Sequence, residues 1–437
     1  MDSLLAARLQ MAFSLGFHII FACIGMVMPF LMSASYWHHL KKSDPESLEL
    51  TKLWMKGVAI FFAVGAVSGT LLSFELGLLW PEFMKHAGPI VGMPFSWEGT
   101  AFFLEAIALG IFLYGFGRLS PWKHWFSSLI VGISGVLSGI FVVAVNAWMN
   151  APQGFTQVNG TFKDIDPWKA MFNPAWFSQA HHMTIASFSS VSAAVLAVHS
   201  LLYLMGRRKK MNLLAIKITA PFFIVAALLQ PLSGDFAAKD VAKRQPLKLA
   251  AMESLFHTTT HAPLLLGGIP NQERQTIQYG IELPSLLSVL AFGDPGAKVQ
   301  GLNDFPKENW PPVLIVHGAF QIMVACGSAM ALTALLALFI YFKKKTFTET
   351  PWLLVLFVLI GPLGFIAIEA GWTVTEVGRQ PWIIYGIMKT RDAVSNAPAL
   401  QLTFFTYLFL YLFLSGVITW LFYRLILVHF LKKDEHD

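Results

Sequence analysis

Residues 351–382 read PWLLVLFVLIGPLGFIAIEAGWTVTEVGRQPW. Residues 352–372 are mostly apolar, and about twenty such residues suffice for a helix to cross a hydrocarbon layer. The run ends in GWTVTEVGRQPW, where a carboxylate, Glu376, and a cation, Arg379, are hemmed in by Trp372, Pro381 and Trp382. An ion pair at the mouth of a spanning helix is costly unless it is used. Pro381 disfavours helix at Gln380 and is expected to end the segment there.

The rest of the chain has the same character. Of 437 residues, 55% are hydrophobic and only 13% charged, with a mean hydropathy of +0.59. No soluble core could hide that much apolar surface. The net charge of +6 does not indicate nucleic acid, because the basic residues sit in short loops between apolar runs, where they set membrane orientation. Cys23 and Cys326 both fall inside apolar runs, so neither a disulfide framework nor a cysteine metal site is indicated. The first apolar run is too long for a cleavable signal and lacks its basic front region, so it reads as a retained helix.

Apolar stretches near 11–36, 54–80, 96–117, 126–149, 177–205, 215–233, 313–341, 352–372 and 400–430 predict an all-α integral membrane protein of about nine spanning helices. Lys41, Lys42 and Lys52, then Arg118 and Lys123, then RRKK at 207–210 and KKK at 343–345 fall in alternate connections, joined by Lys432 and Lys433 at the C-terminus. The positive-inside rule makes these cytoplasmic. The N-terminus is then outside, together with residues 81–95, 150–176, 234–312 and 373–399. Residues 1–437 read as one membrane domain, and 234–312 as an outer functional loop, since connections of that length are seldom idle.

Ionisable groups inside the spans carry the functional reading, each costing about 2.5–3.5 kcal/mol near the bilayer centre. Glu98 and Glu105 in WEGTAFFLEA lie two turns apart on one helix face, a stripe suited to passing protons. The bland alternative is a pair of carboxyls satisfied by a neighbouring helix. His18 lies inside the first span and His181/His182 open the fifth, while Met323 sits early in the seventh. Topology places all of these, with Glu376, in the outer half of the bilayer. A His and a Met at similar depth suit the two axial positions of a six-coordinate haem, whereas a lone ligand leaves an open face for oxygen chemistry. His317 is a second-choice ligand. HTTTH at 257–261 has the spacing of a helical zinc pair but lacks its glutamate. His38, His39 and His124 read as solvated loop residues, and His199 lies near an inner helix end.

With these residues in hand, the chain resembles subunit I of the cytochrome bd-type quinol oxidases, of the short quinol-loop type. The likeness rests on GRQPW at 378–382 preceded by GWTVTE, and on RLQMAFSLGFH, SFELGLLW, EGTAFFLEA, VNAWMNAPQG and KLAAME in the family's order. The resemblance implies a haem-bearing subunit of a terminal respiratory oxidase in a prokaryotic cytoplasmic membrane. Such an enzyme oxidises quinol at the outer face and reduces O2 to water, generating proton motive force without pumping.

By that resemblance, His182 and Met323 hold a low-spin haem b. His18 and Glu376 each ligate one of two high-spin haems, haem b and haem d or a further haem b. Arg8 and Asn146 support cofactor binding, Glu98 and Glu105 lie on the proton path, Arg379 pairs with Glu376 or a propionate, and Lys248 and Glu253 serve quinol. A second, similarly sized membrane subunit and small accessory subunits are the implied partners, within membrane lipid. Gln321 departs from the pattern, because the family commonly has arginine two residues before the axial methionine. The missing charge implies a lower low-spin haem potential. A di-haem cytochrome b would need several paired histidines, and a proton or ion transporter usually shows paired halves. Neither feature is evident here.

Overall fold

The computed structural model describes residues 2–431 except 159, 348, 349, 396 and 398, so Lys432 and Lys433 lie outside the described residues. Four long helices come first: α1 (Ser3–Lys42), α2 (Pro45–Leu79), α3 (Pro81–Tyr114) and α4 (Pro121–Asn150). A hairpin of β1 (Thr156–Val158) and β2 (Thr161–Lys163), then the short α5 (Pro167–Met171), lead to α6 (Trp176–Leu204) and α7 (Lys209–Arg244). The long connection holds α8 (Pro246–Met252), β3 (Thr259–Thr260), β4 (Leu264–Asn271), β5 (Thr276–Leu283), α9 (Leu286–Phe292) and β6 (Lys298–Val299). After it come α10 (Val313–Lys344), α11 (Pro351–Ile360), α12 (Leu363–Val377), β7 (Trp382–Ile384), β8 (Met388–Lys389), α13 (Thr390–Ala393) and α14 (Leu400–Phe422). Every strand pairs antiparallel with one other: β1 with β2, β3 with β6, β4 with β5, β7 with β8.

Among the described residues nine helical segments are long and apolar enough to cross a membrane, α11 with α12 counting as one. Their starts follow elementary rules. Asp2 accepts from the Leu5 amide at 2.7 Å and Asp44 from the Ser47 amide at 3.1 Å, satisfying free N–H groups of α1 and α2. Proline opens α2, α3, α4, α8 and α11, where its missing N–H costs nothing.

Two boundaries differ from the sequence expectation. The sixth span continues to Arg244 because its polar end is helical, carrying the i,i+4 pairs Lys239–Asp235 and Arg244–Asp240. The long connection therefore starts at 245 rather than 234. The eighth span is two helices broken at Gly361–Pro362, and it ends at Val377, ahead of Gln380.

The reading of the peripheral histidines is corrected too. His38 and His39 are in α1 and fasten the α1–α2 turn, bonding Ser47 Oγ at 2.7 Å and the Asp44 carbonyl at 2.8 Å. His124 is buried, joined to Tyr36 Oη at 2.9 Å and the Phe112 carbonyl at 2.8 Å. His257 and His261 flank a strand, not a helix turn, so zinc-pair spacing does not apply. Among the described residues no group of three or more His, Cys, Asp or Glu could hold a metal ion.

Candidate functional site

Five of the polar residues, from α4, α8 and the end of α12, are joined in one hydrogen-bonded chain. Glu376, one residue before the end of α12, accepts from Asn146 Nδ2 of α4 on Oε1 and from Arg379 Nη2 on Oε2 at 2.6 Å. Asn146 is itself gripped by Asn150 one turn on, whose Nδ2 donates to the Asn146 side-chain oxygen at 3.0 Å and to its carbonyl at 2.9 Å. Lys248 on α8 then donates to Asn150 Oδ1 at 2.8 Å and to the Thr375 carbonyl at 3.3 Å. One polar chain thus runs from the long connection to Glu376.

Lys248 and Arg379 are almost fully buried. Burial, helped by the nearby Arg379 charge and opposed by Glu376, pulls the Lys248 ammonium down to about 7. Burial also lowers Arg379, against the pull of Glu376. Among the described residues its Nε and Nη1 have no partner. Buried guanidinium donors without an acceptor cost free energy, and they suit an anionic group such as a haem propionate. The partnerless buried Trp372 Nε1 offers another donor. Glu253, next to α8, is pushed up to about 8 by burial, opposed by the Leu265 amide.

His182 on α6 has Nδ1 3.1 Å from Ser233 Oγ, and Gln230 Nε2 lies 3.3 Å from both ring nitrogens, so Nε2 has no partner of its own among the described residues. That leaves a lone pair suited to a metal. His181 has both nitrogens engaged, by the Phe177 carbonyl at 2.8 Å and Ser233 Oγ at 2.9 Å. Met323 on α10 points its sulfur at α12 where residue 371 is glycine; a Cβ there would lie 3.0 Å from Sδ. His18 on α1 bonds Ser68 Oγ through Nδ1 at 2.8 Å, and a Cβ on Gly69 would lie 3.0 Å from its Cε1. The two glycines let the His18 ring and the Met323 sulfur lie close against α2 and α12, and a donor set of imidazoles, thioether and carboxylate fits haem. His317 does not, because Nδ1 meets the Met252 carbonyl at 2.7 Å and Nε2 the Gly267 carbonyl at 3.0 Å.

Glu98 and Glu105 share α3. Glu98 accepts from Ser138 Oγ at 3.1 Å, while Glu105 is buried against α1 and α4 where Gly25 and Gly135 open space for it. Arg8 is exposed on α1, apart from the Glu376 chain.

Two carboxyls carry no role in the sequence reading. Glu75 on α2 is fully buried, with Oε1 accepting from Gln10 Nε2 and Ser14 Oγ at 2.9 Å each and Oε2 partnerless. Glu369 on α12 puts Oε2 3.0 Å from where a Gly16 Cβ would stand, and its Oε1 is buried without a partner. The signal was present in each case: a lone carboxylate inside an apolar run, as for Glu98 and Glu105.

Comparison with known proteins shows the family. The family model for cytochrome bd terminal oxidase subunit I matches residues 6–429. A Bacillus subtilis (strain 168) protein provisionally named cytochrome bd menaquinol oxidase subunit I is 34% identical, over 100% of this chain and 98% of its own length. Subunit 1 of the Escherichia coli (strain K12) cytochrome bd-II ubiquinol oxidase is 27% identical, over 91% of each chain. The solved bd oxidase of Geobacillus thermodenitrificans superposes with a TM-score of 0.91 at 36% identity, over 97% of this chain and 98% of that one. These likenesses and the nine apolar spans among the described residues show that the chain belongs to the cytochrome bd terminal oxidase subunit I family, and is an oxidoreductase subunit embedded in the cytoplasmic membrane.

Proposed function

We propose that this chain is the haem-bearing subunit of a quinol:oxygen oxidoreductase whose quinol site is built from the outer loop around Lys248 and Glu253. The observation that carries the reading is the polar chain Lys248–Asn150–Asn146–Glu376, which ties that loop to the carboxylate assigned as an iron ligand. His182 and Met323 would hold a low-spin haem b, and His18 and Glu376 one high-spin haem each, haem b and haem d or a further haem b. Bound there, these groups supply electron transfer and the reduction of O2 to water.

The chain's own residues do the rest. The Glu253 carboxylate takes a proton as quinol is oxidised. The buried Lys248 ammonium orients the pocket. Glu98 and Glu105 hold protons on the route from the opposite face, and Arg379 neutralises Glu376 and offers two donors to a propionate. The basic connections at 41–52, 118–123, 207–210 and 343–345 support a cytoplasmic face there and an outer N-terminus. Quinol protons then leave outside while oxygen draws protons from within, storing about 2.3 kcal/mol per charge per 100 mV without a pump. A second membrane subunit, with small accessory subunits, completes the enzyme.

A reduced-minus-oxidised visible spectrum of purified membranes tests this reading. A chlorin band in the red marks haem d, b-type bands alone mark a b-only oxidase, and absence of haem overturns the proposal.

A further inference from the structure

Gln321 stands where the family pattern has arginine, and it is not idle. Its carboxamide oxygen accepts from the Gly267 amide at 3.0 Å and its Nε2 donates to the Leu265 carbonyl at 2.9 Å. Strand β4 therefore receives from one side chain the donor and acceptor, two residues apart, that a neighbouring strand would present to its edge. One turn earlier on the same face of α10, the fully buried His317 sets Nε2 3.0 Å from the Gly267 carbonyl and Nδ1 2.7 Å from the Met252 carbonyl, its ring N–H donating to one or the other with the tautomer. Gly267 is thus held at its N–H by Gln321 and faces His317 at its C=O, in a backbone conformation with φ of +67° that favours glycine.

These four contacts converge on Glu253. Met252 precedes it, and Leu265, the other residue gripped by Gln321, turns its amide toward the Glu253 carboxylate. That carboxylate is buried with Oε2 partnerless. The same helix carries Met323 two residues beyond Gln321. From this geometry we infer that Gln321 and His317 are positioning residues that hold the β4–β5 hairpin and Glu253 in the quinol-binding arrangement before quinol arrives. A charge at 321 is exchanged for a neutral fastening of the loop. The inference rests on the reading of Glu253 as a quinol residue.

A loosened hairpin must be ordered again each time quinol binds, so the loss falls on KM rather than on the bound-state step. The test compares Gln321→Met, Gly267→Ala and the double variant in the intact oxidase, with duroquinol as substrate. Each single change is expected to raise KM about tenfold, the size of two net hydrogen bonds, with kcat within about twofold. The double variant should be no worse than the poorer single one, because both break one fastening. The dithionite-reduced band of the Met323 haem should keep its position and amplitude. If Gly267→Ala does not assemble, Gln321→Met alone decides.

A Glu253→Gln enzyme assayed in parallel separates the two levels. Unchanged KM in the clamp variants with an inactive Glu253→Gln enzyme overturns the clamp. Full activity of Glu253→Gln overturns the quinol-site reading, and the clamp with it. Loss confined to kcat, or disappearance of the Met323 haem band, would place Gln321 at the haem and overturn the inference.

Discussion

Lys248 Nζ lies 2.8 Å from Asn150 Oδ1, and that contact, with Gln245 Nε2 at 3.2 Å from the same oxygen, joins the long connection to the asparagine pair that holds Glu376. A buried ammonium bonded only to an amide oxygen and a backbone carbonyl is poorly repaid for leaving water. Lys248→Met keeps the volume and removes the charge. It is expected to lower duroquinol turnover roughly tenfold or more while leaving the melting temperature unchanged or higher, since removing a buried charge is often neutral or stabilising. Oxygen uptake and thermal unfolding of the same preparation check both halves.

Glu253 supplies a pH prediction. Burial pushes its carboxyl up to about 8, so below that pH it is protonated and cannot accept a proton, and above it the ionised base is present. Duroquinol kcat/KM should therefore rise with pH through an apparent value near 8. Glu253→Gln should lose that limb and roughly 100-fold or more in turnover, as for a general base. A flat profile in the unmodified enzyme would show that another group takes the proton.

The two glycines beside the assigned ligands predict haem-specific effects. A methyl at 371 would lie 3.0 Å from Met323 Sδ, and one at 69 would lie 3.0 Å from His18 Cε1, closer than ordinary contact allows. Gly371→Ala should broaden or shift the low-spin b band and spare the high-spin bands, while Gly69→Ala should do the reverse. Difference spectra of the two variants distinguish these outcomes, and an identical change in both would show that the glycines serve only helix packing.

Much of this architecture was legible because the membrane imposes a length and composition on each span, and nine apolar runs announced the nine spans found among the described residues. The extents were less legible. Residues 235–244 are helical through ion pairs on a polar turn, which an apolar window cannot detect. His124 looked solvated beside Lys123, yet its partners Tyr36 and the Phe112 carbonyl come from α1 and α3. Only tertiary packing reveals that. Glu376 and Arg379 could be paired from their three-residue spacing alone. Asn146 came from resemblance, and the route through Asn150 to Lys248 needed three dimensions. The same holds for Gln321, where sequence spoke of a missing charge and the structure adds a fastening to β4.

The central claim is that Glu376 is an iron ligand held by Asn146 and Arg379, separate from the His182/Met323 pair. The dithionite-reduced-minus-oxidised visible spectrum of the purified Glu376→Ala oxidase tests it most directly. One high-spin haem signal should disappear while the low-spin b band keeps its position and most of its amplitude. Loss of all haem bands together, or retention of every one, would contradict the assignment.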